Sequence, residues 1–189
     1  DLVGAHRVID NDLVINRKRF DIEADCMVAI ATQQPMASDL RILAAMLHII
    51  TELERIGDYA KGVARISLMI GEEPLLKPLI DIPRMALQAG SMLHQSLQAF
   101  VKRDVDLARA IPGQDDEIDA LYNQVYRELM TYVMSDPRHI EQVNYLLWVA
   151  HNLERSADRV TNICERVVFA VTGEMVELNS DTAGLESIN

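Results

Sequence analysis

One six-residue pattern, Leu-Glu-Arg-x-x-Asp, occurs twice in this chain, at residues 53–58 and again at 153–158. An earlier pattern, Asp-x-x-Ile followed by Asn or Asp, also occurs twice, at 12–16 and 115–119. Matched residues lie 103 positions apart in the earlier pattern and 100 apart in the later one, so one or two small deletions explain the drift. Self-similarity over this length predicts two copies of one folding unit.

Both copies consist of residues that favour helices. The chain has 189 residues, of which 49% are hydrophobic and only 5% aromatic, and it contains 8 Gly and 6 Pro. Apolar residues recur every three or four positions, which predicts amphipathic helices. Ser38 or Asp39 is expected to cap the second helix. The predicted helices span residues 12–32, 38–71, 83–102, 115–134 and 137–172, with a short helix near 104–111.

The predicted fold is therefore all-α, a tandem repeat of two three-helix bundles. The two repeats are residues 1–75 and 83–175, and residues 176–189 form a flexible tail. Asp1 aligns with Asp104, so the first bundle lacks the counterpart of the helix at 83–102. We expect a second copy, or residues outside the structure, to cover the apolar face that this leaves. Its residues are Ile22, Met27, Ile30, Leu43 and Leu47.

Charge and composition exclude several functions. The formal net charge is −11 and no basic tract is present, which argues against nucleic acid as a partner. No apolar run approaches the roughly 20 residues that span a bilayer, so the protein is peripheral to a membrane at most. Cys26 and Cys164 are far apart and are expected to be core residues in a cytoplasmic protein. The sequence contains no phosphate-binding loop, nucleophile elbow or Cys-x-x-Cys motif, so we expect that this protein is not an enzyme.

The repeated acids share helix faces. Glu154 and Asp158 lie about 40° apart on a helix, and Asp115 and Asp119 have the same spacing. Like charges at this spacing cost about 0.2–0.5 kcal/mol per pair. If the two helices pack antiparallel, four carboxylates face one another, and a hard cation such as Mg²⁺, Mn²⁺ or iron would relieve the repulsion.

Two alternatives stay open for these acids and their neighbours. The acids are surface residues in salt bridges if Arg55, Arg155 or Arg159 neutralises them. His151 lies about 60° from Glu154 on the same helix, so it is either a ligand or a histidine at the rim of the site. The first repeat offers a poorer set of acids, since Asn16 replaces the second acid and Gly62 stands where the second repeat has Asn162.

The motifs resemble those of the PhoU family, which regulates phosphate-specific transport. The resemblance rests on "QQPMASDLR" (33–41), "ELERIGDYA" (52–60), "DDEIDALYNQVYREL" (115–129) and "NLERSADRVTNICERV" (152–167), and together with the repeat it covers nearly the whole chain. It implies two similar three-helix bundles whose acidic motifs bind divalent or trivalent metal ions (iron, zinc, manganese or magnesium). The implied ligands are Asp115, Asp119, Glu154, Asp158 and Asn162 in the second repeat and Asp12, Glu54 and Asp58 in the first, with Arg55, Arg155, His151 and Asn16 beside them.

The resemblance also implies a function. A protein of this family is a negative regulator of phosphate uptake and of phosphate-starvation signalling. It acts as an adaptor between the ATPase subunit of a phosphate ABC transporter and a sensor histidine kinase, and a homodimer is expected. Two alternatives are a ferritin-like di-iron carboxylate enzyme and a PhoU-like domain of another transporter system. The enzyme alternative lacks the Glu-x-x-His that such sites use, because His151 precedes Glu154.

Overall fold

The computed structural model describes residues 1–178, and every regular element in them is a helix. No strand occurs in this part of the chain, so the all-α prediction is confirmed. Two single 3₁₀ turns, Pro112–Gln114 and Pro137–His139, precede the last two α-helices. The α-helices are α1 (Leu2–Gln33), α2 (Ser38–Ile70), α3 (Asp81–Lys102), α4 (Val105–Ala110), α5 (Asp115–Ser135) and α6 (Ile140–Thr172).

Helix α1 begins ten residues earlier than the sequence pattern indicated. The Asp1 side chain caps it by accepting a hydrogen bond from the Gly4 amide at 2.8 Å. In the second repeat, Pro112 and Gly113 interrupt the corresponding stretch, so that α4 and α5 together match the single helix α1. The predicted cap of α2 is wrong, because Ala37 holds the N-cap position and no side-chain hydrogen bond is made there.

Helices α2 and α6 cross antiparallel at the centre of the molecule. Asn162 donates to Glu52 Oε2 at 3.4 Å, and a Cβ on Gly62 would lie 3.5 Å from the side chain of Asn152. Because position 52 corresponds to 152 and position 62 to 162, these are the same contact seen from the two repeats. The repeats are thus related by a pseudo-two-fold axis that passes close to Gly57.

The second repeat has a closed core of three helices. Met85 and Met92 of α3 are fully buried in the same apolar cluster as Ile118 of α5 and Val160 of α6. Burying a side chain of this size contributes about 1.5–3 kcal/mol, so α3 is a principal source of stability in this repeat. The small residues Ala89, Ser96 and Ala99 are also buried on α3, and they let its backbone approach the other two helices.

The first repeat consists of α1 packed on α2, and no helix corresponding to α3 covers them among the described residues. Large apolar side chains on α1 are consequently exposed: Leu13 is 74% and Phe20 61% accessible. Of the apolar face expected from the sequence, Met27 is exposed and Ile22, Ile30, Leu43 and Leu47 are half-buried.

The segment after α6 turns back onto the core. Leu178 donates its amide hydrogen to Glu165 Oε1 at 3.0 Å, and Val176 packs against the buried cluster. The first residues of the expected flexible tail are therefore held in place, and residues 179–189 lie outside the described residues. Within residues 1–178, no helix combines the length and the hydrophobicity that crossing a bilayer needs.

Candidate metal centre

Helices α5 and α6 bring four acids of the second repeat together. Asp115 opens α5, and Asp119 follows one turn later on the same face. Glu154 and Asp158 lie one turn apart in the middle of α6, which packs against α5. Each pair faces the other because the apolar stripe beside it, with Ile118 on α5 and Ala157 on α6, is fully buried in the same core.

Crowding and burial change the acidity of two of these groups. Burial, followed by the charges of Asp119, Asp158, Glu154 and Asp116, raises the pKa of Asp115 from 3.8 to about 7. Burial, followed by the charges of Asp158 and Asp119, raises the pKa of Glu154 from 4.5 to about 7, although Arg155 opposes this. The cluster thus retains repulsion that the nearby arginine does not remove.

Two carboxylate oxygens in the cluster have no hydrogen-bond partner. Asp115 Oδ1 and Glu154 Oε2 are both buried, and no donor among the described residues reaches either atom with hydrogen-bond geometry. His151 Nδ1 lies 3.4 Å from Glu154 Oε2, which is within ion-pair distance but does not form a hydrogen bond. Buried carboxylate oxygens without a hydrogen bond are costly, and carboxylate oxygens are the ligands that hard metal ions prefer. The donor set therefore fits a divalent or trivalent ion.

The side chains do not yet form a complete ligand set in their present rotamers. Within residues 1–178, no group of three or more His, Cys, Asp or Glu side chains stands close enough to hold an ion. Arg155 Nη1 lies 3.4 Å from Asp158 Oδ2 and draws this acid to one side. A metal ion at this site would require Asp158 or its neighbours to change rotamer.

Aromatic side chains lie along the open edge of the cluster. The Tyr122 ring and the His151 ring have centroids 6.1 Å apart, and His151 is exposed. The Tyr59 hydroxyl accepts a hydrogen bond from Arg155, which ties this arginine to α2 of the first repeat. The rim of the site is therefore held by the packing of two rings and by one hydrogen bond that joins the two repeats.

The corresponding acids of the first repeat have cations of their own. Asp12 is only 3% exposed, and the Lys61 ammonium donates to its Oδ2 at 2.5 Å. Asn16 donates to the same oxygen at 3.2 Å. Glu54 Oε1 lies 3.6 Å from Arg19 Nη1. Asp58 and Arg55 are exposed. The first repeat thus brings Asp12 and Asn16 together, as the motif indicated, but around an ammonium group.

The structure places Asn162 apart from the other predicted ligands. Its amide donates to Glu52, which also lies 3.5 Å from Arg159. This group belongs to the contact between α2 and α6 and not to the α5–α6 cluster, because it faces the opposite repeat.

Sequence reasoning missed Lys61 and Arg19. Both lie on amphipathic helices, where a basic residue is ordinarily a surface residue, so nothing in the pattern set them apart. Lys61 contacts Asp12, which lies 49 residues away, and its spacing within α2 gives no sign of that contact. Its counterpart in the second repeat, Thr161, carries no charge.

Comparisons with a family model and with curated proteins both identify PhoU proteins as similar to this chain. The family model described as "PhoU domain" matches residues 1–67 and 82–167 of this chain. The phosphate-specific transport system accessory protein PhoU homolog of Deinococcus radiodurans is 37% identical over 92% of this chain and 80% of its own length. The protein of the same name from Aquifex aeolicus is 39% identical over 92% of this chain and 78% of its own length.

Two solved structures share the fold. The phosphate transport system regulatory protein PhoU from Streptococcus pneumoniae superposes with a TM-score of 0.85 at 33% identity, over 93% of this chain and 83% of that one. PhoU from Pseudomonas aeruginosa gives a TM-score of 0.87 at 35% identity, over 92% of this chain and 84% of that one. These TM-scores show that the helix arrangement is shared over most of both chains.

Proposed function

This chain belongs to the PhoU family, and we propose that it is an accessory protein that regulates a phosphate-specific transport system. The observation that carries the proposal is that the family model matches both repeats, including both Leu-Glu-Arg-x-x-Asp motifs. The relatives that match over most of their own length carry that accessory function in their names.

The finer part of the proposal is negative regulation. The protein keeps phosphate-starvation genes off when phosphate is plentiful, as a cytoplasmic homodimer peripheral to the membrane. It acts as an adaptor between the ATPase subunit of the ABC transporter and a sensor histidine kinase. A net charge of −11 supports association with basic surfaces of other proteins. Long helices packed side by side give such an adaptor broad faces on which two partners bind separately.

The proposal includes a metal ion in the second repeat. Asp115 and Glu154, each of which has a buried oxygen without a hydrogen-bond partner, would hold it, and Asp119 and Asp158 would add negative charge nearby. The ion, when bound, supplies positive charge that joins α5 to α6. Asp115 at the first residue of α5 then binds the ion and also remains favourably placed at the positive end of the helix dipole.

A regulator fits this site better than a di-iron enzyme. Ferritin-like di-iron sites draw carboxylate and histidine ligands from four helices around a bundle core. Here two helices, α5 and α6, supply all four acids of the cluster, and His151 is 56% exposed in its side chain at the rim. The arrangement favours an ion that joins two helices over one that binds and activates oxygen.

Expression of this chain in a bacterium that lacks its own PhoU-family protein tests the regulatory proposal. A reporter driven by a phosphate-starvation promoter should be repressed at high phosphate when the chain is present, and it should remain active with empty vector. Phosphate uptake should fall in parallel. If the protein accumulates and both readouts stay at the empty-vector level, the proposal is wrong.

A further inference from the structure

We propose that the Lys61 ammonium takes the place of a metal ion in the first repeat, so that the chain carries a single metal centre, in the second. The inference rests on the metal centre proposed above for α5 and α6. It adds a residue-level reason why two copies of one motif differ in what they bind.

The ion pair around Asp12 is an enclosed contact. Asp12 is 3% exposed, and the side chain of Lys61 is only 22% exposed. Lys61 Nζ lies 2.5 Å from Asp12 Oδ2, and Asn16 Nδ2 donates to that same oxygen at 3.2 Å. A buried carboxylate requires a neighbouring cation or hydrogen bonds to its oxygens. For Asp12, the Lys61 ammonium supplies the positive charge, and the ammonium and the Asn16 amide both donate hydrogen bonds. An incoming metal ion would have to displace that ammonium.

The same two positions in the second repeat show the opposite situation. Asp115 corresponds to Asp12, and Thr161 corresponds to Lys61. Thr161 is fully buried, and its hydroxyl has no hydrogen-bond partner among the described residues. A threonine is too short to reach across the seam and has no charge to offer. Asp115 Oδ1 is accordingly left buried without a partner.

The remaining acids increase the contrast. In the first repeat Glu54 lies 3.6 Å from Arg19, so a second cation from α1 faces the motif. Asn16 stands where the second repeat has Asp119, which removes one negative charge. The first repeat therefore has fewer acids and more cations in the same geometry, and both changes weaken the attraction for a metal ion.

The experiment counts bound Mn²⁺ in the wild-type protein, Lys61→Thr and Thr161→Lys, after loading and dialysis of the full chain. We expect one equivalent in wild type, two in Lys61→Thr and none in Thr161→Lys. Lys18→Thr is the matched control, because it removes one exposed lysine from α1 and leaves Asp12 untouched. It should bind the same single equivalent as wild type.

Thermal unfolding adds a readout that does not depend on function. In EDTA, Lys61→Thr should unfold at a lower temperature than wild type, because Asp12 is left buried without its cation. Mn²⁺ should restore most of that loss in Lys61→Thr and should not do so when Asp12→Asn is added. If Mn²⁺ restores the unfolding temperature only when Asp12 is present, the Lys61 ammonium occupies a position that a metal ion can take. An ordinary structural ion pair would show no such recovery with Mn²⁺.

The outcomes separate this inference from the metal centre on which it rests. One equivalent in wild type with no gain in Lys61→Thr overturns the inference and leaves the second-repeat centre standing. No bound Mn²⁺ in any of the proteins overturns both. Two equivalents in wild type overturn the inference even if Lys61→Thr fails to fold, since Lys61 then does not exclude an ion.

Discussion

The two repeats use the same acidic motif on the same helix arrangement and neutralise it differently. In the first repeat, Lys61 and Arg19 contact the acids directly, and the motif is a set of ion pairs. In the second, burial and crowding raise the pKa of Asp115 and of Glu154 to about 7. An acidic motif therefore cannot be assessed from its acids alone, because a single lysine such as Lys61 changes which groups contact them.

The repeats also differ in their cores. The second repeat encloses its apolar residues between α3, α5 and α6, whereas α1 of the first leaves Leu13 and Phe20 exposed. Ile118 and Ile15 occupy matched positions and show the contrast most simply. Ile118 is fully buried, and Ile15 is 38% exposed.

The largest expected effect comes from truncating these two residues. Ile118→Ala should lower the free energy of unfolding by about 3 kcal/mol, because it leaves a cavity in a closed core. Ile15→Ala should cost less than about 1 kcal/mol, because water already reaches part of that side chain. Chemical denaturation of both variants measures the difference. Equal losses would show that the first repeat is as tightly packed as the second.

The next largest effect concerns metal affinity. Asp158→Asn should weaken Mn²⁺ binding at least about tenfold, because it removes a charge from the α5–α6 cluster. Asp58→Asn, the matched variant in the first repeat, should bind like wild type, since Asp58 is exposed beside a motif whose partners are already paired. Isothermal titration measures both affinities. If both variants bind Mn²⁺ with the affinity of the wild-type protein, the acids form only a solvated surface and the proposal of a metal centre is wrong.

A smaller effect is expected in the pH dependence of the metal-free protein. The folded state holds the proton of Glu154 more tightly than the unfolded state, because burial and then neighbouring carboxylates raise its pKa from 4.5 to about 7. This stabilising contribution is fully present below pH 4.5 and is lost as the pH rises through 7. The protein without metal should therefore lose stability between these pH values.

Glu154→Gln should reduce that loss and stabilise the metal-free protein at pH 8 by about 1 kcal/mol. Glu54→Gln should have the opposite sign and destabilise by less than about 0.5 kcal/mol, because it weakens the half-buried pair with Arg19. Denaturation in EDTA at pH 5.5 and pH 8 measures both. The same sign in both variants would contradict the difference in charge balance between the repeats.

The smallest effect is expected at the pseudo-two-fold axis. Gly57 corresponds to Ala157, and a Cβ on Gly57 would lie 3.3 Å from Ile15 Cδ1. Gly57→Ala should stabilise by about 0.5 kcal/mol, because the helix propensity gained, near 1 kcal/mol, exceeds the cost of moving the end of a flexible side chain. A loss of more than about 1 kcal/mol in chemical denaturation would show that α1 and α2 need the glycine for close approach.

Much of the fold and part of the site were predictable from sequence. The register of the two Leu-Glu-Arg-x-x-Asp copies predicted the repeat, and helix periodicity brought Asp115, Asp119, Glu154 and Asp158 to one seam. Two features were not predictable, for physical reasons. Lys61 is a long flexible side chain whose partner lies 49 residues away, and local spacing carries no information about such a contact. Asn162 faces α2 because α2 and α6 cross there, and periodicity within one helix does not show which neighbour covers each face.

The most direct test of the central claim is anomalous diffraction from a crystal of the wild-type protein loaded with Mn²⁺. We expect an anomalous peak between α5 and α6, with oxygen atoms of Asp115 and Glu154 as its ligands. We expect no peak beside Asp12, where the Lys61 ammonium should remain in contact with the carboxylate. Equal peaks in both repeats, or peaks only at exposed acids elsewhere, would contradict the central claim.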